Sequence, residues 1–228
     1  MCNVACLQFG RSHLTGQDVR NKKVIEVGSR DVNGSLRADI AQFGPSNYLG
    51  VDVATGPGVD EICDITELAS RYGLESFDVV ISTEVLEHVR DWRAAVSNLK
   101  RILRPNGVLL VTTRSKGFPY HGYPYDFWRY EVDDIKAIFS DLTVEVIEKD
   151  PVSPGVFVRA HKPAGFFERN LESINLYSIV THGHTHHVTD LEVYLRRFRH
   201  KVRRFLAHLL PTRMLNAIDQ AVTGKERA

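Results

Sequence analysis

Lys22-Lys23-Val24-Ile25-Glu26-Val27-Gly28-Ser29-Arg30-Asp31-Val32-Asn33-Gly34, followed about twenty residues on by Tyr48-Leu49-Gly50-Val51-Asp52, is the stretch that decides the fold. A short β-branched strand (Val24, Ile25, Val27) meets Gly28, passes a polar turn with a second glycine at Gly34, and enters an amphipathic helix expected over 35–43. Glycine is wanted where a chain leaves a strand sharply and a ligand must approach bare backbone. Asp52 closes a second apolar strand, where a carboxylate can accept hydrogen bonds from both hydroxyls of a ribose. Two such strand ends side by side describe a nucleoside site on the edge of a parallel sheet.

What the turn lacks narrows the nucleoside. A dinucleotide fingerprint needs Gly-x-Gly-x-x-Gly to admit a pyrophosphate, and Arg30 stands at the second glycine position. The Walker loop, with its lysine and hydroxyl pair, is absent as well. A cofactor with a ribose and an adenine but no phosphates fits what is left, and S-adenosylmethionine is such a molecule. Glu26, two residues before Gly28, suits its ammonium group directly or through water. The competing reading of Glu26 and Gly28 is a plain strand end and turn.

Two further segments carry a resemblance. Phe77-Asp78-Val79-Val80-Ile81-Ser82-Thr83-Glu84-Val85-Leu86-Glu87-His88-Val89 and Leu99-Lys100-Arg101-Ile102-Leu103-Arg104-Pro105-Asn106-Gly107-Val108-Leu109-Leu110-Val111 resemble the class I S-adenosylmethionine-dependent methyltransferases. Within that family the likeness is greatest to members acting on small molecules, lipids and glycans, and it spans roughly residues 22–162. The first motif departs from the family pattern: Arg30 and Val32 replace its later glycines, and Asn33-Gly34 supplies flexibility one step on.

The resemblance implies an α/β fold, a Rossmann-like seven-stranded mostly parallel sheet closed by a C-terminal antiparallel hairpin, with a helical C-terminal extension. Strands are expected at 24–27, 48–53, 61–63, 77–82 and 108–113, and the closing pair at 143–149 and 155–161 around the Pro151/Pro154 turn. Helices are expected from Asp91 to Arg104 and over 131–139. An N-terminal segment (1–20), a methyltransferase domain (21–163) and the extension (164–228) follow. The cofactor-binding set is Glu26, Gly28, Ser29, Arg30, Gly34, Asp52, Val53, Asp64, Ile65, Ser82, Thr83 and Glu84. Asp64 matches the family residue that accepts from the adenine amino group, with Ile65 lining the ring; the alternative for Asp64 is a helix cap. Glu84 lies on the acceptor side or, with Glu87 and His88, serves the turn. After transfer the cofactor leaves as S-adenosylhomocysteine. The fourth strand runs into neither Asn/Asp-Pro-Pro-Tyr/Phe nor Pro-Cys, which disfavours methylation of nucleic-acid bases, and no nucleic-acid partner is expected.

Phe118-Pro119-Tyr120-His121-Gly122-Tyr123-Pro124-Tyr125-Asp126-Phe127-Trp128-Arg129-Tyr130 follows the fifth strand, where the resembled fold binds its acceptor. Aromatic faces stack on sugar or aromatic rings, while His, Asp and Arg direct hydrogen bonds, so the stretch reads as a lid. The alternative has Phe127 and Trp128 plug the core while Asp126 and Arg129 pair. Methyl transfer is an in-line displacement helped mainly by alignment, but a hydroxyl acceptor must lose a proton as the bond forms. His121 is the expected base, with Asp126 as its orienter or substitute. No metal ligands are expected.

The 228 residues, 43% apolar, can bury one full core. Three cysteines (Cys2, Cys6, Cys63) make no disulfide framework and suit a reducing cytosol. No basic stretch followed by an apolar core opens the chain, and no apolar run reaches the roughly 18 residues of a span, so the expected location is the cytoplasm. Net charge is only +1, yet the region 191–210 interleaves Leu191, Leu195, Phe198, Val202, Phe205, Leu206 and Leu209 with Arg196, Arg197, Arg199, Lys201, Arg203 and Arg204. Such a basic amphipathic helix lies on the inner face of an anionic membrane, packs on its own domain, or joins a second subunit of a homo-oligomer. Thr181-His182-Gly183-His184-Thr185-His186-His187 reads as a polar loop. The function expected is O-methylation of a sugar or other small hydroxylated acceptor, free or lipid-linked. The alternative is a non-catalytic protein of the same fold that binds a membrane or a partner.

Overall fold

The computed structural model describes residues 3–122 and 125–207, with the backbone alone at 200 and 203–207. They fall into two compact units, Met1–His187 and Val188–Ala228. The first unit opens with helices α1 (Val4–His13) and α2 (Gly16–Val19). Then come β1 (Lys23–Val27), α3 (Arg37–Ala41), β2 (Asn47–Asp52), β3 (Glu61–Ile62), a 3-10 turn (Ile65–Glu67), α4 (Leu68–Tyr72) and β4 (Phe77–Thr83). A second 3-10 turn (Leu86–His88) leads into α5 (Trp92–Ile102), β5 (Leu103–Arg114), β6 (Trp128–Arg129), α6 (Val132–Ile138), β7 (Thr143–Lys149), β8 (Gly155–His161), β9 (Leu176–Ser178) and β10 (Gly183–Thr185).

Seven strands form one sheet in the order β3-β2-β1-β4-β5-β8-β7. The first five run parallel; β8 pairs antiparallel with both β5 and β7. This is the sheet the sequence predicts, hairpin included. Because β1 has β2 on one side and β4 on the other, the strand order reverses there, and ligands of open α/β sheets bind outside the carboxyl ends at such a reversal.

Apolar burial holds these elements in place. Val24, Ile25 and Val27 on β1 are buried, and the N-terminal helix joins the same core: Ala5, Cys6 and Phe9 pack with Leu36, Val79, Leu110 and Phe157. On α5, capped by the Asp91 carboxylate on Ala94 N–H, Trp92, Ala95, Val96, Leu99 and Ile102 are buried at helical spacing. One boundary differs from expectation. The strand expected to begin at Val108 begins at Leu103, because Leu103 pairs with Phe77 and Asn106 N–H reaches Lys162 O at 2.7 Å. The Pro105-Asn106-Gly107 turn survives as an irregularity inside that strand, with Asn106 left-handed at φ 62°.

Residues 164–187 also belong to the first unit. There β9 and β10 form a second, antiparallel sheet with β6, in the order β10-β9-β6. The Arg93 guanidinium donates to the carbonyls of Leu171 (3.1 Å), His186 (2.8 Å) and Ile174. His184 lies on β10 edge-on to Tyr177, and His186 Nε2 sits 3.0 Å from Glu172. The second unit contains α7 (Asp190–Ala207), with Leu191, Tyr194, Phe198 and Val202 exposed. No helix among the described residues is long and apolar enough to cross a membrane. Cys2, Tyr123, Pro124 and residues 208–210 of the expected basic helix lie outside the described residues.

Candidate active site

At the end of β1, Gly28 takes φ +80°, and a Cβ there would overlap the Val85 side chain. The N–H groups of Gly28 and Ser29 both donate to Val51 O, at 2.8 and 3.0 Å, which draws the turn against β2. Asp52 receives the backbone N–H of Arg30 at 3.4 Å on one oxygen and that of Ala54 at 3.0 Å on the other. Gly34 N–H donates to the Asp31 carboxylate at 2.8 Å and closes the turn, and Val53 is exposed. Glu26, Gly28, Ser29, Arg30 and Asp52 are thus brought together at two adjacent strand ends.

Glu26 is the one polar side chain of β1 that is buried, and its Oε2 accepts the Tyr48 hydroxyl at 2.6 Å and Ser35 Oγ at 3.4 Å. Burial raises its pKa to about 7 against the lowering pull of Tyr48 and Arg37. The sequence reading missed Tyr48, Ser35 and Arg37. Arg37 lies 4.8 Å over the Tyr48 ring and pairs with Asp60, whose carboxylate also accepts Gly50 N–H at 2.7 Å. Tyr48 stands directly opposite Val24 on the neighbouring strand, a relation that only the register reveals.

Asp64 caps the 3-10 turn, accepting from Thr66 N–H (2.8 Å) and Thr66 Oγ1 (2.7 Å), so the cap weighed for it is what the geometry contains; Ile65 is buried beside it. Ser82 and Thr83 end β4 and are buried. The Oγ atoms of Ser29 and Ser82, both at these strand ends, are buried without a hydrogen-bond partner. Glu84, left-handed at φ 58°, turns inward: it pairs with the buried Arg114 and accepts from Cys6 Sγ at 3.4 Å. Arg114 in turn holds Asp150 at 2.9 Å, a carboxylate that also accepts from Asn3.

The loop after β5 is pinned rather than open. Phe127, Trp128 and Tyr130 are buried, and Trp128 Nε1 donates to the carbonyls of Val89 and Arg90. Asp126 receives a two-pronged pair from Arg129 at 2.6 and 2.7 Å, both residues fully buried, and its carboxyl lies well below the usual range: burial alone would raise it, but the bonds from Arg129 and His121 prevail. This matches the core-plug alternative for those four residues. His121 Nδ1 lies 2.9 Å from Asp126 Oδ2. Its other face is new: Nε2 looks across 3.7 Å to Glu87 Oε1, and the ring lies edge-on to His88 at 4.7 Å. Burial works to lower the His121 pKa, but Asp126 and Glu87 together push it up to about 9. Glu87 is fully buried and accepts Thr113 Oγ1 at 2.9 Å. Nothing in the sequence pairs Glu87 with a residue thirty-four positions on; only the Leu86–His88 turn and the returning loop bring them together.

The matching family profile, described as a methyltransferase domain, covers residues 9–198. Ubiquinone biosynthesis O-methyltransferases of Sinorhizobium fredii and Rhizobium etli are 30% and 29% identical over 120 and 122 residues. Those matches cover 47% and 48% of this chain and the same shares of the relatives, so the chain spans about half the length of the curated relatives it matches. An S-adenosylmethionine-dependent methyltransferase from Mesorhizobium loti shares the fold at TM-score 0.54 and 18% identity, covering 70% of this chain and 99% of that one. A Burkholderia thailandensis 1,6-didemethyltoxoflavin-N1-methyltransferase, solved with bound 1,6-didemethyltoxoflavin and S-adenosylhomocysteine, does so at TM-score 0.58 and 15% identity, over 70% and 79%. With the strand order, the Gly28 turn and the Asp52 strand end in place, the chain belongs to the methyltransferase-domain family of class I S-adenosylmethionine-dependent enzymes.

Proposed function

We propose that this protein transfers a methyl group from S-adenosylmethionine to a hydroxyl oxygen of a small acceptor. The observation that carries the reading is the placement of two groups on one sheet edge: Glu26 and Asp52 on adjacent strand ends, and the His121–Asp126 pair on the loop after β5. The residues suit the cofactor. Asp52 offers carboxylate oxygens to the ribose, Glu26 a carboxylate to the ammonium, and the unpartnered hydroxyls of Ser29 and Ser82 further polar contacts. Gly34, Val53, Asp64, Ile65, Thr83 and Glu84 complete the proposed surround, Asp64 through the oxygen its cap leaves over and Glu84 through its hold on Arg114.

When bound, the cofactor supplies an activated methyl whose C–S bond breaks as the C–O bond forms. The chain's task is to align the acceptor and receive its proton, a contribution of about 10² to 10⁴ in rate for a positioned base. We assign that position to His121, with Asp126 fixing the ring; since the His121 pKa is pushed up to about 9, the unprotonated ring that receives the proton gains population as pH rises toward that value, and methyl transfer should rise with it. The names of the O-methyltransferase relatives support a hydroxyl acceptor. A sugar or a lipid-linked hydroxyl is the finer form of the proposal, which the exposed apolar side chains of α7 and its neighbouring Arg196, Arg197, Arg199 and Lys201 support by suiting an anionic lipid surface.

Isothermal titration with S-adenosylhomocysteine, on the wild type and Asp52→Ala, tests the reading. Micromolar binding lost in the variant is the expected result, followed by methyl transfer to hydroxylated acceptors. Absence of binding to the wild type would overturn it and favour the second reading, a non-catalytic protein of this fold, for which Arg30 and Val32 at glycine positions speak.

A further inference from the structure

The second unit holds a helix with two unlike sides. In α7 (Asp190–Ala207), Leu191, Tyr194, Leu195, Phe198 and Val202 recur at intervals of three and four residues and so share one side. All five are exposed, Leu191 by 65%, Tyr194 by 64% and Phe198 by 54%, and Tyr194 stacks on Phe198 with ring centroids 6.5 Å apart. Val193, on the opposite side, is the one buried side chain among the helix's described residues. An apolar side chain exposed singly needs no explanation, but a contiguous row of five is the kind of surface a folded chain keeps for a partner.

Charge says which partner. From Val193 to Ile218 the sequence carries seven Lys or Arg and no Asp or Glu, in a chain whose net charge is only +1. On the helix, Arg199 and Lys201, both exposed, fall one on each side of the apolar row. The acids stand at the other end: Asp190 and Glu192 lie in the first turn, and Glu192 is taken by the N–H and the hydroxyl of Thr189 at 2.7 and 2.8 Å. An apolar row bordered by cations on both edges fits a surface that is apolar beneath an anionic layer, where long basic side chains reach the headgroups while the row enters the acyl boundary. Tyr and Phe rings suit that depth. The helix lies on such a surface rather than across it, since no helix among the described residues is long and apolar enough to cross. A second copy of α7 would set cation against cation beyond the first turn, and a nucleic acid would leave the apolar row in water.

We propose that α7 docks this protein on an anionic phospholipid surface through Leu191, Tyr194, Leu195, Phe198 and Val202, with Arg199 and Lys201 at the headgroups. Docking stands on α7 alone and is independent of methyl transfer. Each Lys or Arg near such a surface strengthens binding about fivefold, a share that salt screens. Each large apolar side chain taken out of water adds about tenfold or more, a share that salt leaves in place.

The test uses the full chain with vesicles of phosphatidylcholine and phosphatidylglycerol in equal parts, beside vesicles of phosphatidylcholine alone, and reads co-sedimentation. Saturable binding to the mixed vesicles is expected, about tenfold or more weaker on phosphatidylcholine alone and weakened by added salt. Arg199→Glu with Lys201→Glu should weaken it by more than about twentyfold, and Phe198→Ala with Val202→Ala by about tenfold or more. These positions are exposed, so thermal melts should match wild type; Leu191→Ala with Tyr194→Ala replaces the apolar pair should its melt shift. No binding to the mixed vesicles, or binding that both pairs of substitutions leave unchanged, overturns the proposal. A dimer in sedimentation velocity that the apolar pair separates, with vesicle binding absent, gives the row to a second copy and overturns it too. So does vesicle binding that only the charge pair abolishes and that duplex DNA matches in affinity, since a polyanion would then suffice. S-adenosylhomocysteine binding should be the same in all these variants, so that failure of docking and failure of the cofactor reading are seen separately.

Discussion

On the proposed reading, Glu26 makes cofactor affinity a function of pH. Its ordinary pKa of 4.5 is raised to about 7 by burial on β1, so the carboxylate proposed to meet the cofactor's ammonium is only partly ionised near neutrality. If binding requires the ionised form, affinity reaches a plateau above about pH 7 and falls about tenfold per unit below it, about 1.4 kcal/mol each. Two units below the midpoint the dissociation constant for S-adenosylhomocysteine is about a hundredfold weaker, about 2.7 kcal/mol. Tyr48→Phe removes a hydrogen bond that favours the ionised form, so the midpoint moves upward by about one unit. Glu26→Gln gives a flat profile and, at high pH, an affinity about 10- to 150-fold below wild type, the worth of a charge-assisted hydrogen bond. Stability moves in the opposite sense. A carboxyl whose folded pKa lies above its unfolded value contributes stability that is full below 4.5 and lost as pH rises through about 7. The shift of 2.5 units corresponds to about 3 kcal/mol, and Glu26→Gln should recover part of it at pH above about 8. Calorimetric titration across this range, paired with thermal melts, reads both. A dissociation constant for the wild type that stays flat from about pH 5 to about pH 8 would refute the assignment of Glu26 to the ammonium.

Gly28→Ala forces a left-handed backbone on a residue with a Cβ that overlaps Val85, and should cost about 1 to 3 kcal/mol in denaturant melts together with cofactor binding. Retention of both would show that the turn relaxes freely. Arg129→Lys replaces a two-pronged pair with a point charge and strips donors from Phe118 O and Pro119 O, so a loss of about 3 kcal/mol and a melting shift of about 6 to 12 °C are expected by calorimetry. Arg93→Ala frees three carbonyls of the 171–186 segment; limited proteolysis should then cut that segment first, at a stability cost of about 2 kcal/mol, with binding of S-adenosylhomocysteine intact.

The sheet was legible in the sequence because each parallel strand is a short apolar run with a turn residue at its end, and the closing pair 143–149 and 155–161 brackets a proline turn. Gly28, Asp52 and the Asp126–His121 contact were legible for the same local reason: each belongs to one strand end or one loop. What escaped depends on register or on long returns. Tyr48 reaches Glu26 only because β1 and β2 pair in one alignment, and Glu87 meets His121 only after the loop closes over the Leu86–His88 turn. The second sheet was missed because β6 and β9 are two and three residues long, too short to show a period, and their pairing spans some fifty positions. For Glu84 the sequence left the acceptor side and service to the turn both open; its left-handed backbone directs it to Arg114 and to Cys6 of the N-terminal helix, a pairing that no local pattern announces.

The pairing of β6 with β9 has a consequence for engineering. Trp128 and Arg129, which anchor the loop carrying His121, are hydrogen-bonded partners of Ser178 and Tyr177, and Phe127 O receives Ile179 N–H at 2.9 Å. The loop and the 171–186 segment are one module with a shared backbone ladder, clipped to α5 by a single arginine. A chimera that transplants residues 118–130 from a relative into this scaffold leaves those ladder positions to mismatched side chains, whereas one that carries 118–130 and 164–187 together keeps the ladder whole. If the 118–130 loop sets acceptor preference, as proposed, that preference is exchangeable as a two-segment cassette whose second half lies in a part of the chain marked in the sequence only by the histidines of 182–187.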